Sequence, residues 1–149
     1  MHKSILTVLF SLSFAFSEDN SYSWIKKIPK PWVLSQKNLN TYLKNFHREF
    51  PNFHDRLIAL NLWRIGTPYG IFCLGEERGV DKDPIIRIDT SDCTVHVLTT
   101  IAFAESKSFN EARHSMIKLH YKPGKNGEIE PTYTSRWHFT SDRILNHPR

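Results

Sequence analysis

The chain has 149 residues, of which 40% are hydrophobic, 23% charged and 13% aromatic. These fractions exclude a collagen, a coiled coil and a wholly disordered chain, and the length suits one globular domain. Lys and Arg outnumber Asp and Glu by 20 to 15, but no block of like charges indicates nucleic-acid binding. We therefore expect no nucleic-acid partner.

The first residues have the pattern of a secretory signal peptide. Lys3 supplies positive charge, residues 5–16 are apolar or hydroxylic, and Ala15-Phe16-Ser17 offers small residues for a signal peptidase. We predict a signal peptide over 1–17, cleavage before Glu18, and an exported protein in the periplasm or outside the cell. The apolar stretch is about half of the roughly 20 residues that span a bilayer, so we expect no permanent span, with an uncleaved anchor as the alternative.

Two helices are predicted after an extended arm over 18–34, whose aromatic side chains are interpreted as packing anchors. Ser35 caps the first helix, in which apolar residues recur every three or four positions until the following proline. Asn52 caps the second helix, which ends at Gly66. The two helices are expected to form an antiparallel hairpin.

A long turn-rich connection over 67–84 separates this hairpin from the rest of the chain. A short extended piece over 85–88 then leads into a helix capped by Ser91 or Asp92, which is apolar almost all round and therefore predicted to be buried. Three further elements follow. Ser108 and Glu111 form the capping box of a helix, residues 128–134 are predicted to form a strand, and Ser141 caps a last short helix.

Cys93 is the candidate nucleophile. It lies in the first turn of the buried helix, where unpaired backbone N–H groups and the positive end of the helix dipole favour a thiolate. A structural cysteine occurs at such positions too, and export would permit a disulfide with Cys73. We predict that the two cysteines stay unbridged and that Cys93 is the reactive one.

Five motifs occur in order along the chain: Gly66-Thr67-Pro68-Tyr69, Leu74-Gly75-Glu76, Asp92-Cys93-Thr94, the capped helix with Phe109, and a last group of Tyr133, Arg136, His138 and Phe139. Together they resemble the DUF1460 family, the N-acetylmuramoyl-L-alanine amidase-like proteins, distant relatives of the NlpC/P60 cysteine peptidases. The resemblance implies an α+β, papain-like fold whose N-terminal part is rich in helices, with Cys93 at the start of the central helix. It implies one amidase domain over 35–149, acting on peptidoglycan fragments or the cell wall.

The resemblance also implies which residues act with Cys93. A cysteine amidase needs a histidine that activates the thiol and protonates the leaving amine. His138 is the candidate base, with a hydrogen-bonded structural histidine as the alternative, and His96 lies one turn after Cys93. Tyr69 and Arg136 are the candidate substrate-binding residues. Arg136 would bind a carboxylate of the stem peptide, although a surface ion pair explains it equally well.

The chain also departs from the family pattern. The run Cys93-Thr94-Val95-His96-Val97-Leu98 has Leu98 where relatives often carry a glutamate, and no Gly-rich strand with a histidine follows the nucleophile helix. We therefore expect an incomplete sheet and a C-terminally truncated domain. The alternative function is a non-catalytic remnant or a peptidoglycan-binding module. No cofactor is expected, and no His-Glu-x-x-His or Cys-x-x-Cys spacing indicates a metal.

Overall fold

A computed structural model describes residues 18–71, 73–74 and 85–148. The predicted signal peptide over 1–17 and residues 75–84 of the predicted connection lie outside the described residues. The described part contains helices α1 (Glu18–Ile25), α2 (Gln36–Glu49), α3 (Phe53–Arg64), α4 (Cys93–Glu105), α5 (Phe109–His120) and α6 (Thr140–Asn146), with 3₁₀ turns at Pro31–Val33 and Tyr133–Ser135. None of these helices is both long and apolar enough to cross a membrane.

The α+β, papain-like fold predicted from the family resemblance is wrong, because the described residues contain no strand and no sheet. Their extended pairing is limited to two isolated bridges. The strand predicted over 128–134 illustrates the physical reason. The Thr132 hydroxyl accepts from the backbone N–H of Ser135, and the Ser135 hydroxyl donates to the carbonyl of Glu130. Such local side-chain bonds close a 3₁₀ turn and compete with the ladder of a strand.

Side-chain caps fix where the four central helices begin. Ser35, Asn52, Asp92 and Ser108 each accept a hydrogen bond from a backbone N–H in the first turn of α2, α3, α4 and α5, respectively. Each cap satisfies a donor that has no acceptor inside its helix. These four cap predictions are therefore confirmed, with Asp92 rather than Ser91 as the cap of α4.

Two other elements differ from their prediction. The arm over 18–34 is not extended throughout, because α1 occupies its first eight residues and a 3₁₀ turn follows. Helix α6 has Phe139 at its N-cap, without a side-chain cap bond, instead of Ser141. The interpretation of the arm's aromatic residues as packing anchors holds for Trp24, whose ring centroid lies 5.1 Å from that of Phe46.

The core lies among α2, α3, α4 and α5. Phe46 of α2 and Trp63 of α3 are fully buried, with ring centroids 5.0 Å apart, and Phe103 of α4 and Met116 of α5 are fully buried as well. Helix α4 packs chiefly against α5 and α3. It is buried as predicted except along the side of Val97, which is 55% exposed. Helix α4 is therefore packed against the core on most of its sides, and the side of Val97 lies at the surface.

Buried arginine side chains join the helices through backbone carbonyls. Arg56 of α3 donates to the carbonyls of Phe50, Pro51 and Ala104, at 2.7 to 2.9 Å. One cation thereby connects the end of α2 with the end of α4. Because hydrogen bonds from a charged donor are stronger than neutral ones, these contacts fix the position of α4 relative to α2 and α3.

Candidate active site at the start of helix α4

Cys93 is the first residue of α4 and its side chain is exposed. The carboxylate of Asp92, the preceding residue, accepts the N–H of Val95 at 2.8 Å. In the part of the chain that the structure describes, the first-turn N–H groups of Cys93 and Thr94 have no helical acceptor. The thiol therefore lies beside two donors that a negatively charged group can use.

A parallel bridge brings Tyr69 next to this helix start. The N–H of Ser91 donates to the carbonyl of Pro68 at 3.0 Å, and the N–H of Gly70 donates to the carbonyl of Ser91 at 3.3 Å. Ser91 is two residues before Cys93, and Tyr69 is 76% exposed. The bridge therefore places the backbone of Tyr69 next to Ser91, and so near the start of the helix that carries Cys93.

The second cysteine, Cys73, is buried in the loop that follows Tyr69. Its thiol donates to the carbonyl of Gly70 at 3.0 Å. The loop packs so tightly here that a Cβ on Gly70 would lie 2.6 Å from the Thr90 hydroxyl. Both cysteines are free in this structure. Burial and close packing give Cys73 a structural environment, in contrast to the exposed Cys93.

Arg136 is buried and contacts the chain rather than projecting into solvent. It is 7% exposed, its guanidinium donates to the carbonyl of Leu74 at 2.8 Å, and that group lies 5.3 Å from the centroid of the Tyr133 ring. Its backbone forms an antiparallel bridge with Tyr121. Arg136 therefore fixes the loop that carries Tyr69 and Cys73, a role that its sequence motif does not specify.

Arg87 is a residue of this region that the sequence analysis missed. Its guanidinium donates to the carbonyl of Cys73 at 3.2 Å and pairs with the carboxylate of Asp89 at 2.5 Å. The hydrogen bonds from Arg87 hold the pKa of Asp89 below its ordinary value. Arg87 and Arg136 thus bind the carbonyls of two consecutive residues, Cys73 and Leu74. The only sequence feature that could have indicated this role is the position of Arg87 between two isoleucines.

The histidines are not brought into contact with the nucleophile. His138 is exposed, and its ring centroid lies 4.8 Å from that of Tyr133. His96 is half-buried, and burial, followed by the charge of Arg64, lowers its pKa. Among the described residues, no hydrogen bond joins Cys93 to a histidine. The predicted pair of Cys93 and His138 is therefore not assembled by a direct contact in this structure.

Arg64 packs against the buried side of α4, and no sequence motif predicted this role. It is 1% exposed, and one of its nitrogens donates to both the carbonyl of His96 and the hydroxyl of Thr100, each at 2.6 Å. Burial lowers the pKa of Arg64 to about 10. The cation thereby attaches α3 to the first turns of the helix that carries Cys93. The described residues contain no group of three or more His, Cys, Asp or Glu side chains that could hold a metal ion.

Comparisons with known proteins agree with the sequence motifs. The family model described as AmiA-like, N-acetylmuramoyl-L-alanine amidase-like, matches residues 61–149, a range that includes all four predicted site residues. A crystal structure of a DUF1460 protein from Legionella pneumophila str. Philadelphia 1 matches 74% of this chain at 26% sequence identity, with a TM-score of 0.56. This chain spans 37% of the length of that protein. No curated protein matches the chain.

Proposed function

The chain belongs to the AmiA-like family of N-acetylmuramoyl-L-alanine amidase-like proteins, and from this we propose that it is a cysteine amidase that hydrolyses an amide bond in peptidoglycan or its muropeptide fragments. The observation that carries the proposal is the position of Cys93. It is the exposed first residue of α4, beside two first-turn N–H groups, and it follows by two residues the Ser91 backbone that bridges to Tyr69. The buried Cys73 offers no such access.

The chemistry follows from this position. The Cys93 sulfur attacks the carbonyl carbon of the amide, and the C–N bond breaks as the amine takes up a proton and leaves. Water then hydrolyses the thioester and regenerates the thiol. Negative charge develops on the carbonyl oxygen, where the N–H groups of Cys93 and Thr94 can stabilise it. The carboxylate of Asp92 accepts the N–H of Val95, so its negative charge is used in capping the helix.

We propose His138 as the group that accepts the thiol proton and protonates the amine. A series of contacts supports this: the ring of His138 packs against Tyr133, and Tyr133 also contacts Arg136, which holds the loop of Tyr69. His96 is the alternative, because it is one turn from Cys93 on the same helix. Comparing His138→Ala with His96→Ala separates the two, since only loss of the true base should abolish turnover.

A second candidate function is a peptidoglycan-binding module without catalysis. It is favoured by the lack of a hydrogen-bonded histidine at Cys93 among the described residues. In that case Tyr69, with its exposed ring next to α4, would contribute to binding a muropeptide, and Cys93→Ala would bind it as tightly as the wild type.

Release of stem peptide from a purified muropeptide, followed by mass spectrometry, tests the proposal. We expect Cys93→Ala to lose at least about a thousandfold in turnover, because the nucleophile is removed, whereas the matched control Cys73→Ala keeps it. Equal release by the wild type and Cys93→Ala would refute the cysteine mechanism. Binding without release by any variant would establish the module instead.

We also propose that the protein is exported, on the support of the charged and apolar pattern over 1–17. Mass spectrometry of the native N-terminus tests this. A mature chain that starts at Glu18 is expected, and an intact Met1 in a cytosolic pool would refute export.

A further inference from the structure

Two segments that are distant in sequence pack side by side at the end of α3. The indole N–H of Trp63 donates to the carbonyl of Pro29 at 2.8 Å, and the ammonium group of Lys30 donates to the carbonyl of Trp63 at 3.0 Å. The ring of Trp32 lies against Gly66, 3.5 Å from where a Cβ would be. The chain after α1 therefore forms one continuous surface with the second half of α3.

This surface exposes large apolar side chains. Ile58 and Leu62, one turn apart on α3, are 51% and 39% exposed, and Ile65 at the C-cap is 63% exposed. Val33, next to Trp32, is 66% exposed. Single exposed apolar residues are ordinary, but a row of them on adjoining elements indicates a contact surface.

The charges of the two segments have one sign. Residues 24–37 and 58–71 contain no Asp or Glu. Lys26 and Lys27 are exposed after the end of α1, and the ammonium group of Lys30 is 5.9 Å from the centroid of the Trp32 ring. Lys30 thus lies beside the exposed apolar side chains, Lys26 and Lys27 precede it by four and three residues, and these two segments supply no carboxylate to pair with them.

We propose that this surface binds an anionic lipid bilayer. We name it the lysine–isoleucine patch, and it consists of Lys26, Lys27, Lys30, Trp32, Val33, Ile58, Leu62 and Ile65. The apolar side chains enter the boundary between headgroups and acyl chains, the indole lies at the headgroup level, and the exposed ammonium groups of Lys26 and Lys27 bind lipid phosphates. Each lysine near an anionic membrane contributes about fivefold in binding.

The apolar side chains decide between a bilayer and other anionic partners. A soluble polyanion binds lysines and gains little from exposed isoleucine and valine side chains, whereas a bilayer accepts both groups at once. The patch does not include Cys93, so its test is independent of the proposed amidase activity.

Binding of the full chain to vesicles tests the proposal. The vesicles contain equal amounts of phosphatidylglycerol and phosphatidylcholine, with pure phosphatidylcholine for comparison. We expect binding to the anionic vesicles only, with a loss of at least about tenfold in Lys26→Glu/Lys27→Glu. Val33→Ser/Ile65→Ser should bind several-fold more weakly. Circular dichroism verifies that each variant is folded.

Two matched controls and a local probe keep the result specific. Ile144→Ser/Leu145→Ser changes two apolar residues of α6 that are 76% and 79% exposed, and Lys125→Glu reverses an exposed charge in a turn. Neither should alter binding. Brominated lipid should quench the fluorescence of the wild type, and Trp32→Phe should lose most of that quenching.

Three results would overturn the proposal. The first is equal binding to neutral and anionic vesicles. The second is an effect of the lysine variant without any effect of Val33→Ser/Ile65→Ser or any quenching of Trp32, which would establish a soluble polyanion as the partner. The third is an equal effect of the patch variants and the control variants.

Discussion

Replacing Arg64 tests how the structure holds the candidate active-site helix. The side chain is 1% exposed and donates to the carbonyl of His96 and the hydroxyl of Thr100. Two of its nitrogens, Nε and Nη2, have no hydrogen-bond partner among the described residues. A buried cation of this kind carries a large desolvation penalty as well as strong hydrogen bonds, so its net contribution to stability is a difference between opposing effects.

The two effects can be compared in size. Burial lowers the pKa of Arg64 from its ordinary value to about 10, which corresponds to roughly 3 kcal/mol of destabilisation of the folded state. Two hydrogen bonds from a charged donor contribute roughly 3 to 6 kcal/mol. The lower value of about 3 kcal/mol applies here. The Thr100 hydroxyl donates to the carbonyl of His96 at 2.7 Å, so both groups keep a hydrogen-bond partner when Arg64 is removed. The contributions therefore nearly cancel.

We expect the free energy of unfolding of Arg64→Met to lie within about 1 kcal/mol of the wild-type value, because methionine fills most of the same volume. Arg64→Ala should be roughly 3 kcal/mol less stable, since it also leaves a cavity beside Phe103. Urea unfolding at pH 7, followed by tryptophan fluorescence, measures both. Equal destabilisation in the two variants would refute the reasoning, because the hydrogen bonds would then outweigh the burial of the charge.

The remaining predictions concern residues around the same helix. Burial and the Arg64 charge lower the pKa of His96 below 6.5 in the folded state. The folded protein therefore keeps its full stability above pH 6.5 and loses part of it as the pH falls through the lowered pKa of His96. The loss of stability against urea between pH 7.5 and 5 should be smaller in His96→Asn than in the wild type, and an unchanged loss would contradict this. Asp92→Ala should lower the free energy of unfolding by about 1 kcal/mol and Asp92→Asn by much less, because asparagine also caps helices; equal losses would argue against the cap. Gly70→Ala should destabilise by about 1 to 3 kcal/mol, since its Cβ would lie 2.6 Å from the Thr90 hydroxyl. Adding Thr90→Ala should recover part of that loss in urea unfolding, and no recovery would show that the clash lies elsewhere.

Local side-chain chemistry is the part of this fold that the sequence predicts well. Asn52 and Ser108 are short polar residues directly before apolar residues with helical spacing, and both cap the helices that they precede. The start of α4 at Cys93, after the cap Asp92, was predicted in the same way. Caps depend on contacts within three residues, which a sequence contains in full.

Longer-range features could not be obtained from local patterns. Residues 128–134 have the composition of a strand, but Thr132 and Ser135 bond to nearby backbone instead. The buried positions of Arg64, Arg87 and Arg136 depend on carbonyls many residues away, and no spacing in the sequence specifies them. The α+β fold was transferred from relatives as a whole, whereas the described residues of this chain are held together by helix packing.

The most direct test of the central claim is mass spectrometry of the intact protein, quenched within seconds of mixing with a muropeptide. If Cys93 is the nucleophile, cleavage of the muramoyl amide passes through a thioester, and the acyl group is found on Cys93. We predict this adduct in the wild type and in Cys73→Ala, and none in Cys93→Ala. An adduct on Cys73, stem-peptide release by Cys93→Ala at the wild-type rate, or neither adduct nor release from the wild type would contradict the account.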